Sequence, residues 1–128
     1  MQTKKRLALG AILALASSAL AATPPYTAAQ ATAGKKVYST ACSGCHGGQL
    51  QGGAGPALAG KTFLAKWAGH KTDDLYYIIH TQMPLNAPGS LTDTQYLDVL
   101  TYILQANKFP AGKKALTQAE LTKTTLKK

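Results

Sequence analysis

The chain has 128 residues, 45 % of them hydrophobic, which leaves room for one domain with a modest core and excludes a second. Its 14 basic residues against 5 acidic ones give a net charge of +9, a surplus compatible with nucleic acid, anionic lipid or an acidic protein, or with lysines that keep a small domain soluble. The only two cysteines, Cys42 and Cys45, lie in one tetrapeptide, and a bridge closing so short a loop would constrain the unfolded chain little.

The N-terminus has a recognisable layout. Lys4, Lys5 and Arg6 precede a 14-residue apolar run from Leu7 to Leu20, and Ala19-Leu20-Ala21 supplies small residues in an A-x-A arrangement. Residues 1–21 therefore read as a secretory signal peptide cleaved after Ala21. The run is shorter than the roughly 18 residues that a membrane span needs, so no stable membrane insertion is expected after cleavage. The 107 residues left carry 11 basic and 5 acidic side chains, a net +6. Export places the protein in the periplasm or otherwise outside the cytoplasm, which removes nucleic acid and nucleotides as partners.

Residues 22–27, with Pro24-Pro25, form an extended lead-in. Thr27 and Gln30 have the spacing of a capping box, and good helix formers run from Ala28 to about Ala41, with Gly34 and Tyr38 on one face. From Gly44 to Gly60, seven glycines and a proline fall within 17 residues, a density that no helix or strand tolerates. A loop of that size in a small domain is usually functional, because its backbone must satisfy itself against something other than a ladder. Phe63 to Gly69 fits one or two helical turns with the only tryptophan, Trp67. A clearer helix runs from Leu75 to Thr81, capped by Thr72 with Asp73 and Asp74 in its first turn, and stops at Met83-Pro84, where proline forces extended backbone.

The segment "NAPGS", Asn86 to Ser90, is a turn. Thr92 and Gln95 form a second capping box before a helix from Asp93 to about Asn107, whose Tyr96, Val99, Leu100 and Ile103 share an apolar face. Residues 28–112 are thus expected to form the domain, and 113–128 a lysine-rich tail, either a short helix or loose. No segment alternates with period two, so the fold class is all-α: three to four helices and long loops, with too few helical residues to bundle around nothing.

The chemistry lies in "CSGCH". C-x-x-C-H is the attachment signature for c-type haem. Two thiols three residues apart can add to the two vinyl groups on one porphyrin edge, and at a helix end they leave His46 under the ring, where its imidazole can bind iron. Thioether bonds keep the cofactor on an exported protein. A thioredoxin-like pair would follow a strand rather than a helix. A zinc site would want more ligands at short spacing, whereas His70 and His80 are ten apart. For the sixth iron position the candidates are Met83, the one methionine left after signal removal, and the two histidines.

Together, "GKKVYSTACSGCHG", "GPALAG", "LYYIIHTQMP" and "PGSLTDTQYLDVLTYIL" resemble a class I c-type cytochrome, in the bacterial monohaem branch, over residues 31 to about 111. The resemblance implies the cytochrome c fold wrapped around one covalent haem c. It implies thioether bonds at Cys42 and Cys45, axial ligation of iron by His46 and Met83, and a Pro56 carbonyl that orients the His46 ring. Leu58 would pack on the porphyrin and Trp67 would donate to a haem propionate. Gly34 and Tyr38 would meet Val99, Tyr102 and Ile103 where the first and last helices cross. His80 departs from the family's habit and is the alternative ligand to Met83. The last blocks are also similar to cytochromes serving periplasmic quinoprotein dehydrogenases.

The resulting expectation is an electron-transfer protein with no catalytic residues, shuttling between a periplasmic dehydrogenase or other donor and a terminal acceptor such as an oxidase. Lysines around the haem edge would dock on acidic patches of those partners. Two alternatives differ in class: a haem enzyme or ligand sensor with an open or His-ligated sixth site, and a cytochrome subunit permanently docked to a dehydrogenase. Finally, "GPALAGKT", Gly55 to Thr62, spells G-x-x-x-x-G-K-[ST], a phosphate loop. Pro56 removes a backbone donor there, and glycines rather than a strand precede it, so the stretch reads as the loop beside the haem histidine.

Overall fold

The computed structural model describes residues 22–128; the expected signal peptide lies outside the described residues. The first helix, α1 (Ala28–Ala41), starts where Thr27 and Gln30 complete their capping box. A short turn of helix, α2 (Ser43–His46), follows it almost without a break. After the glycine-rich loop come α3 (Lys61–Trp67) and α4 (Thr72–Gln82), and α4 ends in the extended backbone of Met83. The helix α5 (Asp93–Ala106) starts at the Thr92–Gln95 capping box, and a last turn, α6 (Gln118–Leu121), lies in the C-terminal segment. Among the described residues only isolated bridges interrupt the all-α architecture. No helix among them is long and apolar enough to cross a membrane.

The centre of the fold is the crossing of α1 and α5. A Cβ on Gly34 would fall 1.8 Å from the Asp98 carbonyl oxygen and 3.0 Å from the Val99 nitrogen. Glycine is therefore required there, because the helix backbones touch. One turn further along, Tyr38 and Tyr102 pack with ring centroids 5.3 Å apart at 58°. Tyr96, Val99, Leu100, Ile103 and Leu104 are buried on the α5 face that the periodicity marks.

Two expectations change. Lys71, not Thr72, precedes α4, and the Asp74 carboxylate accepts the Lys71 N–H at 3.1 Å. Thr72 is wholly buried, and its hydroxyl bonds that of Thr124 at 2.8 Å. A threonine that would cap an isolated helix is here recruited by a segment 52 residues away. The second concerns the C-terminal segment, where of the two readings the short helix is present as α6 and the loose tail is not. Leu116, Leu121 and Leu126 are buried. Gln30 clamps both backbone groups of Leu116, at 2.8 and 3.0 Å. Gly69 and His70 exchange hydrogen bonds with Leu126, and Thr125 donates to the Ala22 carbonyl. The segment thus straps the α3–α4 connection to the lead-in.

Gly34→Ala is expected to push α1 from α5 at a cost of about 1–3 kcal/mol, the usual range for overpacking. In a thermal melt that is a fall of roughly 5–20 °C at this domain size. An unchanged melting temperature would show that the crossing can yield.

Candidate functional site

Cys42 caps the end of α1, its N–H donating to the Tyr38 carbonyl at 2.9 Å. Cys45 and His46 follow on α2, so the single break between the two helices sets both thiols and the imidazole in one turn. Both cysteines are free; Cys42 is half-buried and Cys45 exposed. Burial first, and then the neighbouring Cys45 charge, push the Cys42 thiol up to about 11. It is therefore protonated at neutral pH and a poor partner for disulfide exchange.

His46 is buried, at 7 % exposure, with its Nδ1 at 2.7 Å from the Pro56 carbonyl oxygen. A carbonyl only accepts, so Nδ1 carries the proton and Nε2 presents its lone pair. No hydrogen bond reaches Nε2 among the described residues. The loop closes tightly to make this contact. Gly52 donates to the His46 carbonyl at 2.7 Å and Gly55 to the Cys45 carbonyl at 2.8 Å. A Cβ on Gly55 would meet the imidazole ring atoms at 2.8–3.2 Å, so the ring lies flat against glycine backbone. Gly60 is the residue before α3, and no strand precedes the "GPALAGKT" stretch.

Three positioning groups escape sequence reasoning. Tyr38 donates its hydroxyl to the Gly47 carbonyl at 2.6 Å. Burial above all, with Cys42 and Tyr102 adding to it, raises that phenol to about 12, so it stays a donor. Asn107, buried at the end of α5, donates to the carbonyls of Leu58 (2.8 Å) and Ile103 (2.9 Å) and accepts the Gly60 N–H at 3.0 Å. It fixes the loop on both sides of Ala59. Tyr96, on the first turns of α5, donates to the Met83 carbonyl at 2.7 Å. The only hint in the sequence is that Tyr96 and Asn107 sit on or just past the apolar face of α5, where a buried polar atom must find a partner.

Met83 is half-buried at the end of α4, with extended backbone (φ −121°, ψ 152°). His80 turns away to another partner. Its Nε2 lies 2.9 Å from Asp93 Oδ1, and its ring sits 4.7 Å from Tyr96 and 5.3 Å from Tyr76. His70 is exposed, 3.7 Å from Asp74 and edge-on to Trp67. Leu58 and Trp67 are half-buried and pack against the hydrophobic core, Trp67 also against Phe63 at 6.4 Å. Among the described residues no three His, Cys, Asp or Glu side chains gather as a bare metal site. The residues brought together on α1 and α2 fit a haem instead: two unpaired thiols and an imidazole with one nitrogen committed and one free.

The sequence model of the family described as cytochrome c oxidase, cbb3-type, subunit III matches residues 29–103. The chain belongs to that family and is a class I c-type cytochrome, a domain that implies electron transfer and covalent haem c. Among solved structures, the sulfane dehydrogenase SoxCD from Paracoccus pantotrophus is similar with a TM-score of 0.65 and 21 % identity, over 96 % of this chain and 68 % of that one. At that identity the likeness is one of fold. Cytochrome CL from the marine methylotrophic bacterium Methylophaga aminisulfidivorans MPT is similar over 62 % of this chain and 55 % of that one, at 26 % identity and a TM-score of 0.48. No curated protein matches the sequence.

Asn107→Ala strands the Leu58 carbonyl and the Gly60 N–H, which is expected to cost about 1–3 kcal/mol. Gly55→Ala should destabilise by a similar overpacking cost of about 1–3 kcal/mol and shift the His46 ring resonances. Gly48, where an added Cβ meets nothing within 4 Å, is the control. Thermal melts and NMR of the three variants check this, and a Gly55 variant indistinguishable from Gly48→Ala would contradict the packing described.

Proposed function

We propose that Cys42 and Cys45 carry one haem c through thioether bonds, that His46 Nε2 and the Met83 sulfur bind its iron, and that the protein is an exported one-electron carrier. The observation that carries this reading is the buried His46 ring, its Nδ1 proton bound by the Pro56 carbonyl at 2.7 Å and its Nε2 free. A haem held there supplies the ferrous–ferric couple. The chain does the rest. Pro56 selects the tautomer and raises the basicity of the coordinating nitrogen. Tyr96 holds the Met83 backbone in place from α5. Leu58 and Trp67 offer apolar walls, which favour the less charged reduced iron, and Trp67 is the proposed donor to a propionate.

Engagement of His80 by Asp93 supports Met83 over His80 as the second ligand. With His46 and Met83 both holding the iron, no position would be left for dioxygen, and nothing in the site is required to move a proton. The carrier reading is therefore a non-enzymatic one. Its donor is proposed to be a periplasmic dehydrogenase and its acceptor a terminal oxidase. The family's description as an oxidase subunit supports the acceptor, and equally a second arrangement in which the cytochrome is docked permanently to its partner. Copurification with a larger enzyme at high salt distinguishes the docked subunit from the shuttle.

The test uses the holoprotein made with the cytochrome c maturation machinery. The reduced form is expected not to bind carbon monoxide, and the oxidised form to show the weak red methionine–iron band. Met83→Ala should lose the band and gain carbon monoxide binding, while His80→Ala leaves the band unchanged. Ready binding of carbon monoxide by the unmodified protein would contradict the carrier reading.

A further inference from the structure

The loop that begins at Met83 has few anchors of its own. Within it, the Ala87 N–H donates to the Pro84 carbonyl at 2.9 Å and the Ser90 N–H to the Ala87 carbonyl at 3.2 Å. Residues 85–90 are exposed. The Tyr96 hydroxyl gathers the two ends, donating to the Met83 carbonyl at 2.7 Å and accepting the Leu91 N–H at 3.5 Å. Backbone with so little buried contact opens at low cost. Displacing Met83 also means loosening the last turn of α4, because the Met83 N–H donates to the Ile79 carbonyl at 3.2 Å.

That last turn is tied to α5 by one side chain. His80 Nε2 lies 2.9 Å from Asp93 Oδ1 on the first turn of α5. A carboxylate only accepts, so Nε2 carries the proton and donates it. The His80 ring also packs on Tyr76, at 5.3 Å, and on Tyr96, at 4.7 Å, and both tyrosines are buried. Thr81, next in the turn, is exposed and bonds only the Tyr77 carbonyl of its own helix. A pair of two freely rotating surface side chains contributes little, much of the gain being lost to ordering them. Here two buried rings already orient the imidazole, so that entropy is largely spent before the hydrogen bond forms.

We infer that His80 is a positioning residue: its bond to Asp93 clasps the two ends of the Met83 loop and keeps the methionine on the iron against competing ligands. The inference rests on the carrier reading, in which Met83 is the second axial ligand. His80 acts through the last turn of α4 and through Tyr96, the residue that holds the Met83 carbonyl. The histidine that looks in the sequence like a rival to Met83 is its lock.

The experiment titrates the ferric holoprotein with imidazole at a fixed pH and follows the loss of the weak red methionine–iron band. Imidazole takes the position only when Met83 has left, so its apparent affinity scales with the open fraction of the loop. His80→Ala, with its band intact before imidazole is added, is expected to bind imidazole about tenfold more tightly. Asp93→Ala should tighten binding about threefold, and the double variant should match His80→Ala, because the two residues form one interaction. His80→Gln, whose amide can still donate to Asp93, should stay within about threefold of the unmodified protein. Without imidazole, NMR hydrogen exchange of the Met83 and Ala87 amides of the holoprotein should quicken in His80→Ala by about the same tenfold. Lys114→Ala removes an ion pair to Glu120 in the C-terminal strap and is the control for the loss of any surface pair.

A His80→Ala variant whose imidazole affinity and amide exchange equal those of Lys114→Ala would overturn the inference. Additive effects of His80→Ala and Asp93→Ala would overturn the clasp, as would a His80→Gln variant that behaves like His80→Ala. Absence of the methionine–iron band from the unmodified ferric protein, or reduced protein that binds carbon monoxide, would instead overturn the carrier reading itself.

Discussion

Where α1 crosses α5, the backbone of Gly34 lies against the Asp98 carbonyl with no room for a methyl group, and every part of the candidate site hangs from that contact. The end of α1 presents Cys42 and, through α2, Cys45 and His46. Tyr38, on the same helix, anchors Gly47. One end of α5 holds Met83 through Tyr96, and the other holds Leu58 and Gly60 through Asn107. Two long helices fixed at van der Waals distance therefore set the separation of two loops that have no regular structure of their own. A rigid frame that holds His46 at the end of α2 and Met83 at the end of α4 would suit electron transfer, because a site that does not rearrange between oxidation states wastes little energy on reorganisation.

The helices were legible because their signals are local. Capping boxes at Thr27–Gln30 and Thr92–Gln95, the apolar face of Tyr96 to Ile103, and the proline after Met83 each act within a few residues, and each is present. The C-x-x-C-H turn was legible for the same reason. The Pro56 contact to His46 came from resemblance rather than from spacing, since nothing in a glycine-rich loop says which carbonyl will turn inward. Thr72 illustrates the opposite case: its local signal is a cap, but burial beside Thr124 decided otherwise. The C-terminal strap was illegible because its anchors are Gln30, 86 residues from Leu116, and backbone groups of Gly69 and His70. Asn107 was read as the end of a helix, and its two loop-holding bonds, to Leu58 and Gly60, depend on where the chain has been, not on its neighbours.

Composition and position also pulled apart. A net positive charge read from the whole chain suggests electrostatic docking, yet the residues next to the candidate ligands are uncharged: alanine, serine, glycine, glutamine and proline. Glycine is there because the loop must close within contact distance of the His46 ring, and a charged side chain next to a haem held there would shift its potential. The lysines collect where no such constraint holds, on helix exteriors and the strap.

Peptide mass mapping of the mature holoprotein after acid–acetone extraction tests the central claim most directly. The peptide spanning Cys42 to His46 should carry the mass of one haem, with both cysteines consumed and the colour left in the protein pellet. Extraction of the haem into the solvent, or recovery of that peptide with two free thiols or a disulfide, would contradict it.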